Sequence, residues 1–319
     1  MEEINPTRKN IKKSSLELLS DFIKDCQLRG MTGESIRRYN SSIRIFLDFL
    51  KRNKTDLLYI DRDTLRNFIS YLRNERNNSQ KTIGNNFAAL SSFYEYLAYE
   101  CYVPANPALP VRKRYLRQYK EDSNRGERQS PSIEEMAEFI DSIPNTRDRA
   151  VALLLAKTGI RRGELIHTDI DDVDIENLSI TLKETKKRSN RVVFFDDECA
   201  RLLARWLEVR ASIHPKTKAL FINNRGERLE REGIYEAITK WAKLFGLHNP
   251  KSPKLEERFS PHCFRHWFTT QLIRADMRRE YIKELRGDAR KDAMDLYNHI
   301  DKEELKKAYL AHIPKLGIT

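Results

Sequence analysis

This sequence predicts a mainly α-helical protein of two domains, the second carrying a small antiparallel β-sheet. Three observations lead there. Apolar residues recur at helical spacing in four successive stretches between Ser15 and Glu100. A segment rich in proline and then in basic residues interrupts that pattern from Pro104 onward. Two short stretches with β-branched residues, Leu178–Leu182 and Arg191–Phe195, flank a polar turn within a second half that is otherwise helical. The expected division is a tail over 1–14, a helical domain over 15–103, a basic linker over 104–129, a second domain over 130–312 and a tail over 313–319.

In the first domain, Leu18, Leu19, Phe22, Ile23 and Cys26 form one stripe. Ile36, Tyr39, Ile43, Phe46, Leu47 and Leu50 form the next, entered after Met31-Thr32-Gly33. Leu65, Phe68, Ile69 and Leu72 follow a cap at Asp61; Ile83, Phe87, Leu90, Phe93, Tyr94 and Leu97 follow one near Ser79. One-sided patterns with short connections fold most economically as a compact bundle with the aromatics inside. The polar faces hold Arg37, Arg38 and Arg44 on the second helix and Lys81 at the start of the fourth. A helix N-terminus with short polar donors suits a phosphate, although a solvated face and an ordinary cap explain each residue taken singly.

Pro104, Pro107 and Pro110 end the fourth helix and open an irregular segment. From Val111 to Arg128 seven basic residues, Arg112, Lys113 and Arg114 among them, stand against three acidic ones, a strap suited to a polyanion. Ser132-Ile-Glu-Glu135 is a capping box, so the second domain begins near Ser130. A buried helix over Ala150–Lys157 runs into Thr158-Gly159. Beyond the hairpin, helices are expected over 196–211 and 234–245, with a short strand at Leu220–Ile222 between them. Ser260-Pro261, a serine cap before a proline at the first helical position, opens another helix with Phe264, Trp267, Phe268, Leu272 and Ile273 inward. A last helix over 301–311 precedes an apolar tail, Ile313, Leu316 and Ile318, that folds back on its own domain or docks on a neighbour.

The 319-residue chain is long enough to bury a core in each domain, and its net charge of +12 points to a polyanionic partner. Cys26, Cys101, Cys199 and Cys263 lack paired spacing, which argues against a disulfide framework or a structural zinc site. No apolar run approaches the ~20 residues that span a bilayer, and the N-terminus has no apolar signal core. A cytoplasmic protein without a membrane partner is expected. His262 and His266, four residues apart, mimic half of a metal site, but the adjacent arginine opposes a cation and no metal is expected.

The chemistry concentrates in two boxes. Thr158-Gly159-Ile160-Arg161-Arg162-Gly163-Glu164-Leu165 comes first; His262-x-x-Arg265 follows, with Asp288 23 residues beyond the arginine and Tyr297 nine further on. His262 and Arg265, three apart, share a helical face. Two boxes of this content and order resemble those of the tyrosine recombinases, the phage-integrase and Xer-type DNA strand-exchange enzymes, and the resemblance extends over nearly the whole chain. It implies a four-helix core-binding (SAM-like) domain followed by an α-rich DNA breaking–rejoining catalytic domain. It also implies cofactor-free chemistry on double-stranded DNA at a specific recombination site, and a homo-tetramer on synapsed DNA that is a monomer or dimer when free. Tyr297 takes the place of the nucleophile, Arg161 and Arg265 of the clamp on the non-bridging oxygens, His262 of a phosphate ligand or proton acceptor, and Glu164 of an acidic brace. A lysine in the hairpin turn would protonate the leaving 5′ oxygen; the family pattern KxxKxR, counted back from Arg191, selects Lys186, with Lys183 and Lys187 as alternatives. Arg37, Arg38, Arg44, Lys81, Arg112, Lys113 and Arg114 would grip the DNA backbone. The residue types suit this chemistry: a phenolic oxygen forms a covalent phosphoryl intermediate, and planar, permanently charged guanidiniums stabilise the transition state without a metal.

One position departs from the family. Asp288 stands where histidine or tryptophan is usual, and an ionised carboxylate repels a phosphate. It either orients a neighbour, Arg286, Arg290 or Tyr297, or has a capping role only; the orienting role is the expectation. Two rivals to the recombinase reading are a type IB topoisomerase using the same tyrosine chemistry and a DNA-binding accessory protein that has lost catalysis.

Overall fold

Short polar side chains start the helices of the first half of the chain. Ser14 caps α1 (Ser15–Leu28), Thr32 caps α2 (Gly33–Arg52), Asp61 caps α3 (Arg62–Ser70) and Ser79 caps α4 (Gln80–Tyr99), each accepting a backbone N–H of the first turn. The computed structural model describes residues 13–116, 130–183, 191–252, 254–288 and 300–318. The chain divides into two units, Met1–Asn124 and Arg125–Thr319. In the first, α2 packs on α1 and α4 around the fully buried Phe22, Phe46, Phe68, Phe87 and Phe93. The buried Tyr94 hydroxyl donates to the Leu57 carbonyl at 2.9 Å, which satisfies the polar end of a ring placed in the core.

The irregular segment expected from Pro104 is corrected. Residues Ala108–Tyr115 form a helix, α5, whose Ala108 and Val111 join the first unit's core. Asn106 Oδ1 accepts from the N–H groups of Ala108 and Leu109, at 3.0 and 3.2 Å, and so starts it. Pro110 falls in the first turn, where an N–H has no intrahelical partner to lose, so it permits the helix it was expected to prevent.

The second unit is organised around α7 (Thr146–Thr158), in which every residue from Ala150 to Thr158 is buried. It packs against α6 (Ile133–Asp141), α9 (Asp197–Ser212), α10 (Arg231–Phe245), α11 (Pro261–Arg274) and the strand Arg191–Phe194. A short helix α8 (Arg162–His167) follows α7. The sheet has three antiparallel strands in order β1 (Val173–Asp174), β2 (Ser179–Leu182), β3 (Arg191–Phe194), with Ile180 opposite Val193. Residues 220–222, expected as a strand, make only single bridges on either side, Asp169 with Ala219 and Ile222 with Arg228. Ile273, expected inward on α11, is 56% exposed, because it lies nearly half a turn from the centre of the stripe set by Phe264, Trp267, Phe268 and Leu272.

A smaller core of Phe268, Leu272, Tyr281, Leu285, Leu305 and Tyr309 joins α11 to α12 (Arg279–Arg286) and α13 (Lys302–His312). The apolar tail folds back on its own unit, with Ile313, Leu316 and Ile318 buried. A buried charge holds it there. Lys157, fully buried on α7, donates to Asp196 at 2.7 Å, Glu198 at 2.6 Å and the Pro314 carbonyl at 2.7 Å. Glu198 in turn accepts the backbone N–H groups of Leu316 and Gly317, at 3.0 and 2.7 Å. Burial pushes the Glu198 carboxyl up, but the Lys157 hydrogen bond, the Leu316 N–H and the Lys157 charge outweigh it and hold it below the ordinary value.

Lys157→Met takes the buried ammonium away from Asp196 and Glu198, leaving the exposed Lys315 ammonium 3.4 Å from Asp196 as a weak substitute, and a loss of about 3–5 kcal/mol is expected in denaturant unfolding of the full chain. Because Glu198 titrates lower folded than unfolded, its stability contribution is complete above about pH 4.3 and is lost as the pH falls through the folded value. The urea midpoint of the wild type therefore stays level near neutrality and drops below that pH, less steeply in Glu198→Gln.

Candidate active site

Two glycines in the left-handed region shape this site. Gly159 ends α7 with φ of +58°, and a Cβ there would lie 2.4 Å from the Phe268 ring. Its bare backbone lets α11 approach closely enough for Arg265 Nη1 to donate to the Gly159 carbonyl at 2.8 Å. The same turn delivers Arg161 to the N-terminus of α8, where its backbone N–H donates to Glu164 Oε2 at 2.7 Å. Gly287 ends α12 at φ +58°, and a Cβ there would meet the Arg191 guanidinium at 2.6 Å.

The end of α12 supplies the meeting point. The last carbonyls of a helix have no intrahelical partner and carry the negative end of its dipole. The Arg286 carbonyl accepts from Arg161 Nη1 at 2.9 Å and from Arg265 Nη2 at 2.7 Å. Just beyond, Asp288 Oδ1 accepts from Arg161 Nη2 at 3.2 Å and Arg265 Nη2 at 3.1 Å, while Oδ2 lies 3.1 Å from Arg286 Nε. Two arginines from distant stretches of chain thus hold a single anionic oxygen. Of the neighbours Asp288 was expected to orient, Arg286 is its ion-pair partner; Arg290 and Tyr297 lie outside the described residues.

Glu164 ties this group to the sheet. Arg191 of β3 donates to both its oxygens, at 3.0 and 2.9 Å, and also to the Leu285 carbonyl at 3.2 Å. Burial pushes the Glu164 carboxyl up, yet the Arg191 hydrogen bond and charge, with the Arg161 amide and charge, hold it below the ordinary range. Arg265 is lowered to about 10, first by burial and then by the Arg161 and Arg286 charges, with Asp288 and Glu164 partly restoring it. It stays charged at neutral pH.

His262 and His266, both exposed on α11, meet with their Nε2 atoms 3.0 Å apart, so one ring donates while the other accepts. Among the described residues no three His, Cys, Asp or Glu side chains form a metal-binding cluster. Lys183 pairs with Asp169 and, at 3.1 Å, with Asp172; the Asp169 hydrogen bond raises its pKa and makes it a poorer acid. Lys186, Lys187 and Tyr297 lie outside the described residues.

In the first unit Arg37, Arg38, Arg44, Lys81, Arg112, Lys113 and Arg114 are all exposed. Gln80 links the start of α4 to the end of α5, donating to the Tyr115 carbonyl at 3.4 Å and accepting from Arg73 at 2.9 Å. Arg73 therefore joins Lys81 and the α5 basic residues at one edge, a neighbour that helical spacing alone did not reveal. Arg191 was likewise missed as a site residue; in the sequence it served only as a strand residue and as the reference point for counting back to Lys186.

Residues 129–304 match the model of the phage integrase family, and residues 18–102 match that of the phage integrase N-terminal SAM-like domain. The chain belongs to the phage integrase family. Tyrosine recombinase XerC of Haemophilus ducreyi is 30% identical over 74% of this chain and 73% of its own length. Tyrosine recombinase XerD of Staphylococcus epidermidis is 26% identical over 93% of this chain and 99% of its own. The fold is shared with XerH site-specific recombinase in a post-cleavage complex with palindromic difH substrate (TM-score 0.67, 22% identity, 95% of this chain and 90% of that one). It is also shared with a lambda integrase dimer bound to a COC′ core site (TM-score 0.67, 14% identity, 91% of this chain and 100% of that one). The family assignment agrees with the mainly α architecture and its small antiparallel sheet. Among the described residues no helix is long and apolar enough to cross a membrane.

Gly287→Ala is expected to cost about 1–3 kcal/mol, from the left-handed backbone and from the displaced Arg191 guanidinium. In an Arg191→Ala background the steric part disappears, so a double-mutant cycle on thermal unfolding should show coupling between the two positions.

Proposed function

We propose that this member of the phage integrase family breaks and rejoins DNA strands at a specific site through a covalent 3′-phosphotyrosine. The observation that carries the reading is the convergence of Arg161 and Arg265 on one anionic oxygen, at 3.2 and 3.1 Å. Two guanidiniums so placed suit a phosphodiester, whose non-bridging oxygens gain negative charge in the transition state.

In this mechanism the Tyr297 oxygen attacks the scissile phosphorus, and His262 takes the phenolic proton. The bond from phosphorus to the 5′ oxygen breaks as the tyrosyl–phosphorus bond forms. Lys186 gives its proton to the departing oxygen, leaving a free 5′ hydroxyl. The ion pairs of Lys183 with Asp169 and Asp172 favour Lys186 or Lys187 for this step. Attack of a partner strand's 5′ hydroxyl on the phosphotyrosine reverses each transfer and completes strand exchange without a cofactor. Asp288 pairs with the clamp arginines themselves and with Arg286. The basic edge of the first unit would grip the duplex backbone, and four copies would assemble on two synapsed sites, in the cytoplasm where the DNA lies.

Incubation with a nicked cognate site should trap a covalent protein–DNA adduct. Tyr297→Phe should form none while still shifting the DNA in a gel; an adduct with the phenylalanine variant would refute the reading. Arg161→Lys is expected to slow adduct formation by about 10²–10³-fold, the effect typical of a lost transition-state donor. A substrate with sulfur at the 5′ bridging position needs no proton on its leaving group. It should rescue Lys186→Ala if that residue is the acid, and Lys187→Ala if the neighbour is.

A further inference from the structure

We propose that Asp288 occupies the seat of the scissile phosphate in the DNA-free protein, as a built-in competitor that a correctly docked DNA strand must displace. This rests on the clamp reading of Arg161 and Arg265 given above.

Three features separate a competitor from a positioning residue. First, the guanidiniums do not depend on Asp288 for their orientation. Arg265 keeps the Gly159 and Arg286 carbonyls, and Arg161 keeps the Arg286 carbonyl and Glu164. Second, the carboxylate is held as a phosphoryl group would be. One oxygen receives a donor from each clamp arginine, and the other faces Arg286 Nε at 3.1 Å. Third, the pocket has donor capacity that the carboxylate leaves unused. Arg286 Nε is shielded from solvent and finds no aligned hydrogen-bond acceptor among the described residues, despite its ion pair. An anion with more oxygens can use it.

The charge balance gives the competitor a purpose. Arg161, Arg191, Arg265 and Arg286 share Glu164 and Asp288 among the described residues, and Arg265 is only 4% exposed. Such a cluster needs an anion when no DNA is bound. A tethered carboxylate supplies it at an effective concentration on the order of millimolar or more. Stray phosphates and loosely bound DNA must compete with that concentration, whereas a duplex docked along both units presents its phosphate intramolecularly. The device therefore favours the cognate geometry over passing anions.

The test uses the full-length protein and inorganic phosphate, at constant ionic strength held with chloride, with binding read from the rise in melting temperature. Asp288→Asn should bind phosphate at least about tenfold more tightly than the wild type. Asp288→Ser, which removes the charge with a different side chain, should do the same, so the result does not hang on one variant's folding. If either variant is less stable without phosphate, phosphate should restore it. Unchanged or weaker phosphate binding in both variants would overturn the proposal, as would destabilisation that phosphate does not relieve. Neither readout needs strand cleavage, so failure of the tyrosine reaction and failure of the competitor are told apart.

Discussion

A guanidinium taken out of water governs the second unit. Arg265 is 4% exposed, and an unpaired charge at such a site costs several kcal/mol. Two stretches of chain meet its donors: the turn after α7, through the Gly159 carbonyl, and the end of α12, through the Arg286 carbonyl and Asp288. Each supplies an acceptor that local structure leaves free. Gly159 exposes a carbonyl where a helix has stopped, and Arg286 exposes one because α12 ends there. The helices are thus spaced by what one buried cation requires, and Arg161 is drawn into the same arrangement through the Arg286 carbonyl.

The same logic recurs at the same C-terminal end of α7, two residues before Gly159. Lys157 is buried and satisfied by Asp196, Glu198 and the Pro314 carbonyl, which locks the C-terminal residues onto their own unit. The two buried cations differ in one respect that matters for function. The Lys157 group is closed, its carboxylates matched by an ammonium and by backbone N–H groups. The arginine group carries more guanidiniums than carboxylates and opens to solvent at Asp288, whose side chain is 33% exposed. Closure makes a clasp; an open excess of positive charge makes a place for an anion.

Much of this was legible before any fold was considered. The caps at Asp61, Ser79 and Ser132 depend on residues three positions apart, and the apolar stripes on spacing within one helix. Local rules read them. They misled at Pro110, where the proline's position in the first turn, set by Asn106, decided for helix. Ile273 was grouped with the inward residues because it is apolar, although helical spacing already turns it away from the Phe264, Trp267, Phe268 and Leu272 stripe.

Residue type and order along the chain determined the helical class, through periodicity, and the content and spacing of the two boxes, whose resemblance to the tyrosine recombinases singled out the candidate clamp. What only the tertiary structure decided is how the boxes meet. The Arg191–Glu164 pair joins strand to helix. The Arg286 carbonyl contributes backbone, to which sequence is nearly blind. The carboxylate of Asp288 reads in isolation as repelling phosphate, yet it lies within reach of the guanidiniums that would hold one. The physical reason is that electrostatic roles belong to distances of about 3 Å between groups far apart in the chain, and those distances exist only once the helices have packed.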